Sequence, residues 1–138
     1  KTNACIISLN WDNPLVEKNL ALYLTKDALK NQRWINNLAE LENKVNFLIL
    51  YGSIINAPME ANDIDLLGIA SSKNKFTKIE ESIKNIQKTQ MKKIHIIIFT
   101  PIEFRQELRK PNKAFIDAIK KGIILFGQEK FIKFIRDK

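Results

Sequence analysis

Asp63 and Asp65 stand one residue apart inside the apolar run Asp-Ile-Asp-Leu-Leu-Gly-Ile-Ala, residues 63–70. In an extended strand, alternation puts both carboxylates on one face, a few ångströms apart. Two like charges so placed repel each other and resist burial, so the pair calls for a cation or for open water. Mg²⁺ takes hard oxygen ligands and shares its shell with substrate phosphates. The chemistry such a pair would do is therefore to clamp Mg²⁺, or Mn²⁺, onto a phosphate compound. Upstream, Gly52-Ser53 ends another apolar run, residues 45–51. Glycine lets a backbone come close to a ligand, turn amides cradle a phosphate, and the serine hydroxyl adds a hydrogen bond. Singly, a Gly-Ser is a turn and an Asp-x-Asp a solvated strand end; together, at this spacing, they are more specific.

These residues need strands and turns to position them. The runs 45–51, 63–70, 93–99 and 123–126 read as strands, and the opening stretch 2–10 as another. Asn13-Pro14 reads as a helix cap with proline at the first helical position. Helical spacing then continues to about Glu42, with a break expected near Thr25. Phe76, Ile79, Ile83 and Ile86 mark an amphipathic helix over 76–90. Thr100-Pro101-Ile102-Glu103 is a capping box opening a helix to about Lys110. A short helix over 113–121 and a last one carrying Phe131, Ile132, Phe134 and Ile135 follow. The order predicts an α+β (α/β mixed) domain: a small mixed β-sheet with helices chiefly on one face. Residues 1–44 read as an N-terminal strand and helical segment leading into a compact unit, 45–138.

Composition bounds the function. The chain has 138 residues, 45% hydrophobic and 28% charged, enough for one domain with a real core. One Cys, Cys5, excludes an internal disulfide framework and a multi-Cys zinc site, and reads as a small buried hydrophobe. One His, His95, excludes a His-based metal cluster. Trp11 and Trp34 read as packing residues. No run approaches a membrane span and no secretory signal opens the chain, so a cytoplasmic protein with no membrane partner is expected. Residue 1 is Lys rather than Met, so the chain reads as a piece of something longer. The net charge of +8 favours polyanionic partners, nucleotides or nucleic acid. Lys73, Lys75, Lys78, Lys84, Lys88, Lys92 and Lys93 read either as a solvated face or as a nucleic-acid surface.

Strand-Gly-Ser, a loop, then Asp-x-Asp-Leu in a strand resembles the nucleotidyltransferase superfamily of DNA polymerase β, in particular its small minimal domains of archaeal type. Residues 47–70 carry the diagnostic part. Thr100 to Phe104 and Lys121 to Gly127 are also similar to archaeal members, and the upstream segment resembles what joins such domains to a winged helix-turn-helix. The resemblance implies that Gly52 and Ser53 hold the phosphates of a nucleoside triphosphate, and that Asp63 and Asp65 bind Mg²⁺ or Mn²⁺. It implies in-line transfer of a nucleotidyl group to a protein, nucleic-acid or small-molecule acceptor, with release of pyrophosphate.

The sequence also departs from the family. Ile55, Asn56 and Ala57 stand where Ala-Arg-Gly is usual, and Asn62 where Ser is common. The third strand of active members carries a third carboxylate; here the matching place is His95, which can act as a base but is a poor Mg²⁺ ligand. Its other reading is a strand-face residue of no chemical role. Three functions follow: a metal-dependent nucleotidyltransferase; a catalytically weak or inactive nucleotide-binding module that regulates a partner or an attached DNA-binding domain; and an antitoxin-like partner of a toxin.

Overall fold

The computed structural model describes residues 9–137. The four apolar runs within that span form strands: Phe47–Tyr51 (β1), Asp63–Ile69 (β2), Lys93–Phe99 (β3) and Ile123–Phe126 (β4). They make one sheet in the order β3-β2-β1-β4. β1 runs antiparallel to β2 and to β4, whereas β2 and β3 are parallel. A parallel pair needs a crossover, and the amphipathic helix Phe76–Gln87 (α4) supplies it. The fold is a small α+β domain on a mixed sheet, as the order of elements predicts.

The helices are divided between the two faces rather than gathered chiefly on one. Phe47 and Ile49 of β1 point to a layer with Leu67, Ile69, Phe104 and Ile124; Leu48 and Leu50 point to a layer with Ile64, Leu66, Ile79 and Ile86. Over the first face lie Pro101–Arg109 (α5), Lys113–Lys120 (α6) and Gln128–Arg136 (α7), through Phe104, Phe115, Ile119, Phe131 and Phe134. Over the second lie α4 and the short helix Gln32–Asn37 (α2), with Trp34, Leu38 and Leu41. The reason is in the strand composition. The run Phe-Leu-Ile-Leu-Tyr is apolar at every position, so it must be covered on both sides. Trp34 is buried in this second layer, with the Arg33 guanidinium 4.9 Å from its ring centre, which fits a packing residue.

The long N-terminal helix Pro14–Leu29 (α1) starts where expected: the Asn13 side chain accepts the Leu15 N–H, and Pro14 occupies the first turn. It packs against β4 and α7. It does not break near Thr25, which the helix accommodates with its hydroxyl donating to the Ala21 carbonyl, 2.8 Å. The break comes at Lys30-Asn31. The capping box at Thr100 is formed on both sides. Cys5, and nearly all of the strand expected over 2–10, lie outside the described residues. Among the described residues no helix is long and apolar enough to cross a membrane.

Candidate functional site

β2 begins at the site. Ile64 is buried to 1% exposure on one face, which turns Asp63 and Asp65 together to the other. Their side chains are 45% and 31% exposed, open to water as an unneutralised pair must be. Cross-strand register fixes the neighbours. Asp65 lies opposite Tyr51 of β1 and beside His95 of β3; Asp63 lies beside Lys93. The His95 ring reaches towards both carboxylates, with Nε2 3.9 Å from Asp63 Oδ1 and Nδ1 3.9 Å from Asp65 Oδ1. These distances exceed hydrogen-bond length.

Gly52 closes the other side. Its φ of 84° and ψ of −166° fall in a region open essentially only to glycine. A methyl group there would stand 2.6 Å from Asp65 Oδ2. The end of β1 is thus drawn against the carboxylate as closely as a backbone allows. Ser53 opens the four-residue helix Ser53–Asn56 (α3) and is exposed, while Ile54 anchors that turn in the core at 2% exposure. The structure brings Gly52, Ser53, Asp63, Asp65 and His95 to one end of one sheet face. Tyr51 belongs to the same group and was missed by sequence reading. Alternation along β1 puts it on this face, but only the strand register shows that it meets Asp65.

Electrostatics follow from this placement. Burial raises the Asp65 pKa above its ordinary 3.8; nearby His95 opposes the shift and Asp63 adds to it. Tyr51 is raised too, by burial first and then by the Asp65 charge. A carboxylic acid whose folded pKa lies above its unfolded value binds more protons when folded. Its contribution to stability is present below the unfolded value and lost as pH rises through the folded one. At neutral pH the Asp65 charge therefore weakens the fold. Asp65→Asn is expected to melt higher than the unmodified chain at neutral pH, with the gain vanishing below about pH 3, under both pKa values. Thermal unfolding across pH measures it, and an equal gain at every pH would refute the burial account.

Mg²⁺ or Mn²⁺ fits the donor set in a limited way. The carboxylate pair is hard, anionic and open. Among the described residues no three His, Cys, Asp or Glu side chains are grouped to hold a metal by themselves. The remaining ligands would have to come from substrate phosphates and water, the usual habit of Mg²⁺. Nor is Glu103 a spare ligand: its Oε1 accepts the Thr100 N–H at 2.9 Å and its Oε2 lies 3.3 Å from Lys73 Nζ. The basic stretch is similarly divided. Lys92 is tied to the Ala61 carbonyl, while Lys78, Lys84 and Lys88 share a surface hollow of about 530 Å³ with Glu40 and Glu81.

What the fold and the site define is a small α+β domain with a paired-carboxylate sheet end beside a glycine turn. No protein-family model and no curated protein matches the chain.

Proposed function

We propose that this chain is a nucleotidyltransferase-like domain that binds a nucleoside triphosphate together with Mg²⁺ or Mn²⁺. The reading is supported chiefly by one observation: Asp63 and Asp65 share one open sheet face, with Asp65 against the Gly52 turn. Asp63 and Asp65 would hold the metal, whose chemistry is to neutralise phosphate charge. Gly52 and Ser53 would take the phosphate chain, the glycine by allowing close approach and the serine by its hydroxyl. In the transfer itself, an acceptor oxygen bonds to the α-phosphorus, the bond to pyrophosphate breaks, and the acceptor proton leaves to a base or to solvent. The acceptor is a protein, a nucleic acid, a small molecule or water. Such a domain would work in the cytoplasm, where these nucleotides are made and used.

His95 favours a second reading. It stands beside Asp65, where the resembled family has its third carboxylate. With an imidazole there, transfer is slow or absent, and the domain acts as a nucleotide-binding regulatory module, alone, beside a DNA-binding domain, or as an antitoxin-like partner.

Titration with each nucleoside triphosphate, with and without Mg²⁺ or Mn²⁺, tests binding, and pyrophosphate release tests transfer. Asp63→Ala is expected to abolish metal-dependent binding and leave the fold intact, since Asp63 is half exposed. Equal binding by the variant and the unmodified chain would overturn the assignment.

A further inference from the structure

β3 is an edge strand, and its open edge is unevenly protected. Along β3, residues 95, 97 and 99 turn their backbone groups to β2, as the bond from Ala70 N–H to the Phe99 carbonyl shows. Residues 94, 96 and 98 turn theirs outward. At one end, the Gln87 side chain accepts the Ile94 N–H at 2.8 Å and donates to the Lys92 carbonyl at 2.9 Å. At the other end, Glu103 accepts the Thr100 N–H at 2.9 Å. Between these two caps, the N–H and C=O groups of Ile96 and Ile98 have no hydrogen-bond partner among the described residues. The opposite edge differs: Gln128 donates to the Ile124 and Leu125 carbonyls of β4, and α1 packs there.

The outer edge of β3 thus offers two donors, the N–H groups of Ile96 and Ile98, and three acceptors, the carbonyls of Ile94, Ile96 and Ile98, in a short apolar window with no proline and no bulge. Such an edge is a template for another strand. Ile97, at the middle of the window, is a large apolar side chain left 40% exposed.

We infer that this edge pairs with the same edge of a second copy of the chain. Placing Ile96 opposite the partner's Ile98, antiparallel, forms four backbone hydrogen bonds across a two-fold axis at Ile97. Ile94 then falls opposite the partner's Thr100, and because the N–H of each is already bonded to a side chain, Gln87 and Glu103, the ladder stops on both sides there. The exposed Ile97 meets its own counterpart in a non-hydrogen-bonded position, where side chains approach most closely. The result is one continuous eight-stranded sheet. Because the axis is perpendicular to that sheet, both carboxylate sites open on the same side, and His95 of each copy faces the partner's Phe99 across the seam. Each copy carries +8, so long-range repulsion opposes the pair and salt strengthens it.

Sedimentation of the full chain over a concentration and salt series tests this, with amide exchange as a second readout. The expected mass is twice 16.0 kDa, with tighter pairing at higher salt. The Ile96 and Ile98 amides should exchange more slowly as concentration rises, while those of residues 95 and 97, already bonded to β2, should not respond. Ile97→Lys, which sets two ammonium groups face to face, should halve the mass and leave the circular dichroism unchanged. A monomer at every concentration and salt level would overturn the inference. So would Ile96 and Ile98 amides protected independently of concentration, which would mean that the chain covers its own edge. The α1 surface offers a rival seam, since Leu15, Leu22 and Leu29 are all exposed and seven residues apart. A dimer dissociated by Leu22→Lys but not by Ile97→Lys would place the interface there and overturn the inference as well.

Discussion

On the nucleotidyltransferase reading proposed above, His95→Asp is expected to raise metal-dependent release of pyrophosphate by about two to four orders of magnitude, the usual worth of a well-placed general base. His95 sits beside Asp65 on the parallel neighbour strand, and its ring already spans the distance to both carboxylates. An aspartate there would join them as a third oxygen donor, either completing a metal shell or taking the proton of the acceptor hydroxyl. The same change carries a cost without metal. Three carboxylates on neighbouring strands repel, so the metal-free variant should melt lower than the unmodified chain. Adding Mn²⁺ should then raise its melting temperature by more than it raises that of the unmodified chain. Both readouts are needed. A variant that melts lower, gains nothing from Mn²⁺ and releases no more pyrophosphate would show that His95 does not occupy the third position.

The largest effect on stability is expected from Phe47→Ala. Phe47 is 1% exposed at the start of β1, and its ring meets three others: Phe131 at 5.2 Å, Phe134 at 5.6 Å and Phe104 at 6.1 Å between centres. These rings join α5 and α7 to the sheet. Removing a buried phenylalanine costs about 3–5 kcal/mol, against a total of about 5–15 kcal/mol for a typical domain. Chemical denaturation should show a midpoint far below that of the unmodified chain, with Phe47→Leu falling between the two. A loss under about 1 kcal/mol would mean that the cluster closes over the gap, which tightly packed aromatic layers resist.

Much of the fold was legible because its signals are local. Asn13-Pro14 and Thr100-Pro101-Ile102-Glu103 cap helices through bonds within three residues, so they read directly. The four strands stood out as apolar runs bounded by glycine, aspartate or proline. The burial of both sheet faces was legible too, in the unbroken Phe-Leu-Ile-Leu-Tyr of β1. The expectation of helices chiefly on one face gave that pattern too little weight. The break after α1 was misplaced because a threonine can satisfy its hydroxyl inside a helix, as Thr25 does on Ala21. In the site, strand alternation alone puts Asp63 and Asp65 on one face. Which residues of neighbouring strands stand beside them depends on register, a property of turns and packing distributed over the whole chain. For that reason neither the meeting of Tyr51 with Asp65 nor the closeness of Gly52 to Asp65 is legible before the strands are in register.

The order of the strands has a consequence for how the chain is made. β1 meets β2 across a single connection that holds α3, Tyr51 beside Asp65, so the antiparallel pair can close as soon as both have emerged from the ribosome. Its other neighbour is β4, where Leu48 meets Phe126 only after α4, β3, α5 and α6 have been synthesised. Throughout that interval the central strand has a bare edge, and the phenylalanines of α7 that cover one of its faces do not yet exist. Long-range strand pairing is slow, and an apolar edge left waiting is what misfolded chains and chaperones seize. The hazardous period for this molecule is therefore its own translation, and it ends when β4 pairs with β1 and α7, the last element, covers the face above it.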